Sequence, residues 1–379
     1  MTRSLRASGP SLRPLWVEID LAAVAHNYRA LRRALAPGTQ VIASLKGNAY
    51  GCGVREVGRL LAAEGVDGHA VGNIDDAVAL REAGIDGPIL LYPNCLPDAA
   101  AAVVDLSLAI TLNAVAEADA WATALRQPVD AWIKLDIGAF RAGALPQQAA
   151  ALALRVAGER CFRLRGVYAH LHLPNPVRLA DYARWQAQNF AMALRAIATA
   201  GITPPLRIAA GTAAVLHYPE LDFDAVDPGR LLYGIGFAGT RRDLGLRPAL
   251  KALRTRIVHR KPLGDADTGG FATPFPWRAG MVIGVLPLGW GDGYPRPVPP
   301  GAVALVRGRR APLLGPTHFE HLRIDLTDVP DANYGDEVTL VGRQGGDELP
   351  PEEVARTWGI GLLELYGGLR GHIGRVYVT

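Results

Sequence analysis

Lysine is scarce in this 379-residue chain: Lys46, Lys134, Lys251 and Lys261 stand against 36 arginines. An ε-amine loses its proton on desolvation and forms Schiff bases, which a guanidinium does not, so each lysine draws attention. Cysteine is scarce too. Cys52, Cys95 and Cys161 are odd in number and widely spaced, which excludes a disulfide framework and a cysteine-based metal site. No charge-free apolar run reaches the length of a membrane span, and residues 1–14 carry arginines without the apolar stretch of a secretory signal. The net charge of +4 is small and scattered, which argues against nucleic acid or a membrane surface as partner. The expectation is a soluble, cytoplasmic protein without a metal.

What the chain has in quantity is apolar residues, 49% of the total, enough to exclude disorder. Its length predicts two domains. Residues 16–20 read as a strand and 21–35 as an amphipathic helix that Asp20 caps. Strand-length apolar runs follow at 41–45, 68–72, 88–92, 106–112, 129–135, 164–170 and 205–210. Helical segments separate most of them, at 54–64, 114–125, 146–157 and 178–200, with one ending near Gly84 and capped by Asp75. Such alternation over about 230 residues predicts an α/β fold with a (β/α)8 TIM barrel. A doubly wound sheet is the alternative, but no G-x-G-x-x-G follows the first strand. From about residue 246 short β-type runs appear between Gly/Pro turns, at 281–286, 302–306, 322–326 and 337–341. The expected domains are therefore a barrel over 1–245 and a C-terminal all-β domain over 246–379.

Residues 41–53, V-I-A-S-L-K-G-N-A-Y-G-C-G, end an apolar strand in Lys46 and a glycine-rich turn, where α/β barrels place their chemistry. An ordinary strand-end lysine is the alternative. The segment K-G-N-A-Y-G (46–51) resembles the lysine motif of the alanine racemase family, fold-type III enzymes that use pyridoxal 5′-phosphate (PLP). The resemblance implies that Lys46 carries PLP covalently and acts as one base, while Tyr50 contacts the cofactor phosphate. Cys52 stands where a histidine is common. It also implies a small amino-acid substrate and a homodimer, the β-domain of one subunit covering the barrel mouth of the other in shared active sites.

Five further segments carry the likeness. Residues 132–143, W-I-K-L-D-I-G-A-F-R-A-G, resemble the family's K-x-D-x-G-x-x-R-x-G. There the lysine, here Lys134, is often carbamylated and orients the arginine, here Arg141, toward the cofactor's phenolic oxygen and the substrate carboxylate. A structural Lys134–Asp136 pair is the alternative. In G-V-Y-A-H-L-H (166–172), His170 matches the histidine that stacks on the pyridine ring, and His172 has no assigned role. Thr212 in A-A-G-T-A-A-V (209–215), and Gly229 and Arg230 through their main chain in V-D-P-G-R-L-L-Y-G (226–234), match phosphate-binding positions. Residues 288–296, L-G-W-G-D-G-Y-P-R, resemble G-Y-A-D-G-Y-P-R with Trp290 for the first tyrosine.

Three departures shape the expected chemistry. Asp227 occupies the position of an arginine that faces the pyridine nitrogen; a carboxylate there favours the protonated ring and a stronger electron sink. Asp227 capping a turn away from the ring is the alternative. Residues 268–277 contain no tyrosine where the family places its second base, and Phe271 is the nearest aromatic. Residues 316–321, P-T-H-F-E-H, replace C-M-D, so His318 or His321, reaching in from a partner subunit, is the expected second acid–base; a polar hairpin surface is the other reading. A late phosphate-binding tyrosine is also lost, near Gly371 and His372. The function expected is a PLP-dependent amino-acid racemase or epimerase whose substrate need not be alanine. The alternative is a PLP enzyme of the same fold that decarboxylates, cleaves in aldol fashion or forms carbon–carbon bonds through a quinonoid.

Overall fold

The computed structural model describes residues 12–175, 177–264, 266–267 and 272–379. They form two compact units, one of Ala23–Arg247 and one joining the described residues up to Ala22 with Pro248–Thr379.

The first element, β1 (Leu15–Asp20), leads into α1 (Leu21–Ala34). In the unit of Ala23–Arg247, eight parallel strands close a barrel in sequential order. They are β2 (Gln40–Ser44), β3 (Gly68–Val71), β4 (Ile89–Leu91), β5 (Leu108–Leu112), β6 (Val129–Leu135), β7 (Phe162–Ala169), β8 (Leu206–Ala210) and β9 (Ala225–Val226). Between them lie α2 (Lys46–Tyr50), α3 (Val54–Ala63), α4 (Ile74–Glu82), α5 (Ala100–Asp105), α6 (Val115–Ala124), α7 (Ala149–Ala157), α8 (Ala180–Thr199) and α9 (Thr212–His217). Strands β3 and β5 are buried along their whole length, as strands covered on both faces require. The barrel interior is filled by Ile42, Ala70, Leu90, Tyr92, Ala109, Trp132, Tyr168, Ile208 and Ala225. Gly166 makes room for this filling, because a Cβ there would sit 2.4 Å from the Trp132 ring.

In the other unit, β10 (Leu250–Arg256), β11 (His259–Pro262), β12 (Val282–Leu286), β13 (Val303–Val306), β14 (Arg309–Leu314), β15 (Leu322–Asp325), β16 (Glu337–Gln344), β17 (Asp347–Leu349) and β18 (Gly374–Val378) join β1 in a ten-stranded sheet. It also carries two short helices, α10 (Pro351–Thr357) and α11 (Leu362–Gly368). Pro351 in the first turn, followed by Glu352 and Glu353, is the start signal that an all-β reading of this region passed over. Among the described residues, no helix is long and apolar enough to cross a membrane.

Two differences from the sequence reading concern the barrel. Strand β1, assigned to a barrel domain of 1–245, lies in the sheet unit, antiparallel to β10 and parallel to β18. Its burial alternates strictly, the mark of a sheet with one exposed face and not of a barrel strand buried on both sides. The barrel is closed instead by β9, two residues long and paired with β8 and β2. A smaller correction concerns α4, whose N-cap is Asn73 and not Asp75; its side-chain oxygen accepts from the Asp76 N–H at 2.7 Å.

Candidate active site

Lys46, Tyr92, Lys134, Arg141, Tyr168, His170 and Asp227 line one cavity of about 200 Å³ in the barrel unit. They come from the C-terminal halves or ends of β2, β4, β6, β7 and β9, where the strand carbonyl ends open into loops.

Lys46 is followed by a left-handed turn. Gly47, Asn48, Ala49 and Tyr50 all have φ between 54° and 65°, a conformation that costs roughly 1–2 kcal/mol per non-glycine residue. The turn is held from outside. Asn48 accepts from the Val54 N–H at 2.8 Å, and its own N–H donates to buried Asp76 at 3.2 Å. Backbone strain kept this way is characteristic of functional sites. At its far end the Tyr50 hydroxyl comes so close to Gly229 that a Cβ there would lie 2.2 Å away. Thr212 Oγ1 accepts from the N–H groups of Gly229 (3.2 Å) and Leu231 (3.3 Å). Tyr50, Thr212 and Gly229 thus form a second cluster. Arg230 follows Gly229 in the chain, and its guanidinium stacks 3.6 Å from the centroid of Phe237.

Asp227 is buried, and its Oδ2 accepts from the Tyr92 hydroxyl at 3.3 Å, while Oδ1 is buried without a partner. Its backbone N–H donates to Ala210 O at 3.0 Å. Burial pushes the Asp227 carboxyl up to about 6, against the pull of Lys46 and Lys134. Lys46 Nζ lies 5.3 Å from the Tyr92 ring centroid. Burial, with Lys46 and Arg141 nearby, holds His170 down to about 3, so its imidazole is neutral. Shifts of this size gathered in one cleft mark a functional site.

Lys134 is lowered to about 8 by burial and then by Arg141, and its Nζ lies 5.5 Å from the Tyr168 ring centroid. It forms no ion pair with Asp136. That carboxylate accepts instead from the N–H groups of Gly138 and Phe140 at 3.0 Å and of Arg141 at 2.6 Å, fixing the loop that carries Arg141. Helix α8 clamps the same region: Tyr182 donates to Gly138 O, Asn189 to Ile137 O at 3.0 Å, and buried Gln186 pairs with both backbone groups of His172. The His172 side chain is exposed.

Tyr92 escaped the sequence reading. The signal was present, since it ends a predicted strand as Lys46 does. His318 and His321 are not among the cavity residues. They lie in the sheet unit, both exposed, in a turn closed by His318 N–H to His321 O at 2.9 Å. Nearby, buried Asp292 accepts from both terminal nitrogens of Arg13 and from the Gly289 N–H, with His372 Nε2 at 2.8 Å. Phe271 lies outside the described residues.

Family models agree with this architecture. The model for the alanine racemase N-terminal domain matches residues 19–236, and that for the C-terminal domain matches 250–377. The chain is 33% identical to the alanine racemase of Desulfovibrio desulfuricans, covering 97% of this chain and 98% of that one. It is 32% identical to that of Symbiobacterium thermophilum, with 97% of each covered. Among solved structures, alanine racemase from Bacillus anthracis with bound L-Ala-P superposes with a TM-score of 0.87 at 26% identity, covering 98% and 96% of the two chains. Biosynthetic alanine racemase from Pseudomonas aeruginosa gives 0.80 at 31% identity, covering 97% and 100%.

Proposed function

The chain belongs to the alanine racemase family and is a racemase of it, and we propose that it racemises an α-amino acid with PLP carried on Lys46. Alanine, the substrate named for its relatives, is the first to test. The residues present suit that cofactor. The partnerless oxygen of Asp227 is a ready acceptor for a protonated ring nitrogen. Neutral His170 offers a flat ring beside the cavity. Gly229, packed against the Tyr50 hydroxyl where no side chain fits, suits a phosphate cradle of main-chain N–H groups.

When bound, PLP supplies an electron-withdrawing ring that stabilises the negative charge left at the α-carbon. The remaining roles belong to the chain. Lys46 Nζ takes and returns the α-proton on one face. Arg141 binds the substrate carboxylate with paired N–H donors, held by the Asp136-anchored loop. Lys134 supports Arg141; at about 8 it carries some free amine at neutral pH, the form that carbon dioxide carbamylates. Tyr50, Thr212 and the amides of Gly229 and Arg230 would hold phosphate, the Gly229 N–H turning to it from Thr212 Oγ1. His318 or His321 of a partner subunit supplies the second proton, so the working unit in this reading is a homodimer. No disulfide links the cysteines, which suits a reducing compartment, and the cytoplasm is part of the proposal.

The observation that carries this reading is Lys46 on a strained turn inside a cavity with Arg141, neutral His170 and Asp227. Incubation with single amino acids in D2O is expected to exchange the α-proton, and borohydride to trap a PLP adduct on Lys46. A colourless protein with neither result defeats the proposal. The carboxylate at position 227 favours a second reading, PLP-dependent decarboxylation, aldol-type cleavage or carbon–carbon bond formation, because a protonated ring stabilises any carbanion. Loss of carbon dioxide or of an aldehyde from the substrate, in place of exchange, would select it.

A further inference from the structure

We infer that the Tyr92 hydroxyl is a positioning group that keeps Asp227 ionised, leaving one carboxylate oxygen for a cationic nitrogen in the cavity. The inference rests on reading the Lys46 cavity as the cofactor site.

Asp227 and Tyr92 are 7% and 8% exposed, so water solvates neither well. A buried carboxylate normally takes up a proton unless it is paired. Charged or titratable groups face Asp227 from several strands: Lys46 after β2, Tyr92 after β4, Lys134 on β6, and Tyr168 and His170 from β7. Neither lysine forms an ion pair with it, and the Tyr92 O–H is the one side-chain donor that hydrogen-bonds to it among the described residues. Tyr168 is turned elsewhere, its hydroxyl 2.9 Å from Thr111 Oγ1. His170 is neutral and so adds no charge.

The support from the two lysines is conditional. Lys46 spends its amine in the chemistry, and Lys134 is already lowered to about 8. The Tyr92 phenol is pushed well above its ordinary value by burial. It therefore remains an O–H donor at every working pH. The ring is also part of the barrel filling, so the two roles must be separated by deleting oxygen alone.

Tyr92→Phe does that. The carboxylic acid band of Asp227, assigned by its loss in Asp227→Asn, is to be titrated by infrared difference spectroscopy on the full chain with and without PLP. Tyr92→Phe is expected to move its midpoint upward by about one pH unit, and the acid limb of the rate profile by the same amount. Fluorotyrosine at position 92, a more acidic donor that preserves the ring and hydroxyl, is expected to move the midpoint down. It serves as the deciding variant if Tyr92→Phe does not fold. A midpoint unmoved by the substitutions overturns the inference. Failure to bind PLP defeats the functional reading instead, and the titration of the cofactor-free chain still decides the claim about Tyr92.

Discussion

Asp227 in the barrel unit and Asp292 in the sheet unit are both buried carboxylates, 7% and 1% exposed, and they are treated in opposite ways. Asp292 meets the guanidinium of Arg13 at 2.6 and 2.9 Å, the Gly289 N–H at 2.8 Å and His372 at 2.8 Å. Asp227 has one phenol at 3.3 Å and an oxygen with nothing. A fully partnered buried charge ties strands and loops together. An under-partnered one costs stability and persists where a ligand completes it. The same residue type in similar burial is thus fully partnered in one unit and left open to a ligand in the other.

The contrast is sharpest at Lys46, the proposed point of covalent attachment. Lys46→Arg keeps a cation while removing the nucleophilic amine. It is expected to lower turnover by at least about a thousandfold, with loss of the borohydride adduct by mass spectrometry. Next in size is Asp292→Ala, which strands the Arg13 guanidinium. It should destabilise the chain by about 3 kcal/mol in urea unfolding; an unchanged midpoint would remove the architectural half of the comparison. Replacing His318 and His321 together by glutamine is expected to slow α-proton exchange about a hundredfold while leaving the melting temperature in place, because both side chains are exposed. Full exchange in that variant would eliminate them as the second acid–base.

The smallest effect has the opposite sign to that of Asp292. The folded-state pKa of Asp227 is raised to about 6 from 3.8, so the fold favours the protonated form. The cost of ionisation is absent below pH 4 and grows as pH rises through 6. Asp227→Asn should therefore stabilise the cofactor-free chain by about 2–3 kcal/mol at pH 8 and by almost nothing at pH 3.5. Equal effects at the two pH values would show that burial does not perturb this carboxylate.

Much of this was legible along the chain, though unevenly. The turn after Lys46 announces itself through glycines and a lone amine, and most barrel strands through apolar runs of the right length. Strand β9 was not legible, because two residues carry no period. The alternation of β1 was visible, but its neighbours β10 and β18 lie more than 200 residues further on. The glutamine clamp from α8 gave no signal, since a buried Gln186 looks in sequence like any surface glutamine.

Local sequence was enough for the candidate side chains around Lys46, for most of the alternation of barrel strands and helices, and for the change of texture near residue 246, because each is written in residues a few positions apart. The folded molecule was needed to show that β1 leaves the barrel, that Asp136 serves the loop amides in place of Lys134, and that Tyr92 meets Asp227 across 135 positions. Those outcomes depend on which groups closure of the barrel and sheet brings within about 3 Å, and on how much water remains there; neither quantity is local to a stretch of chain.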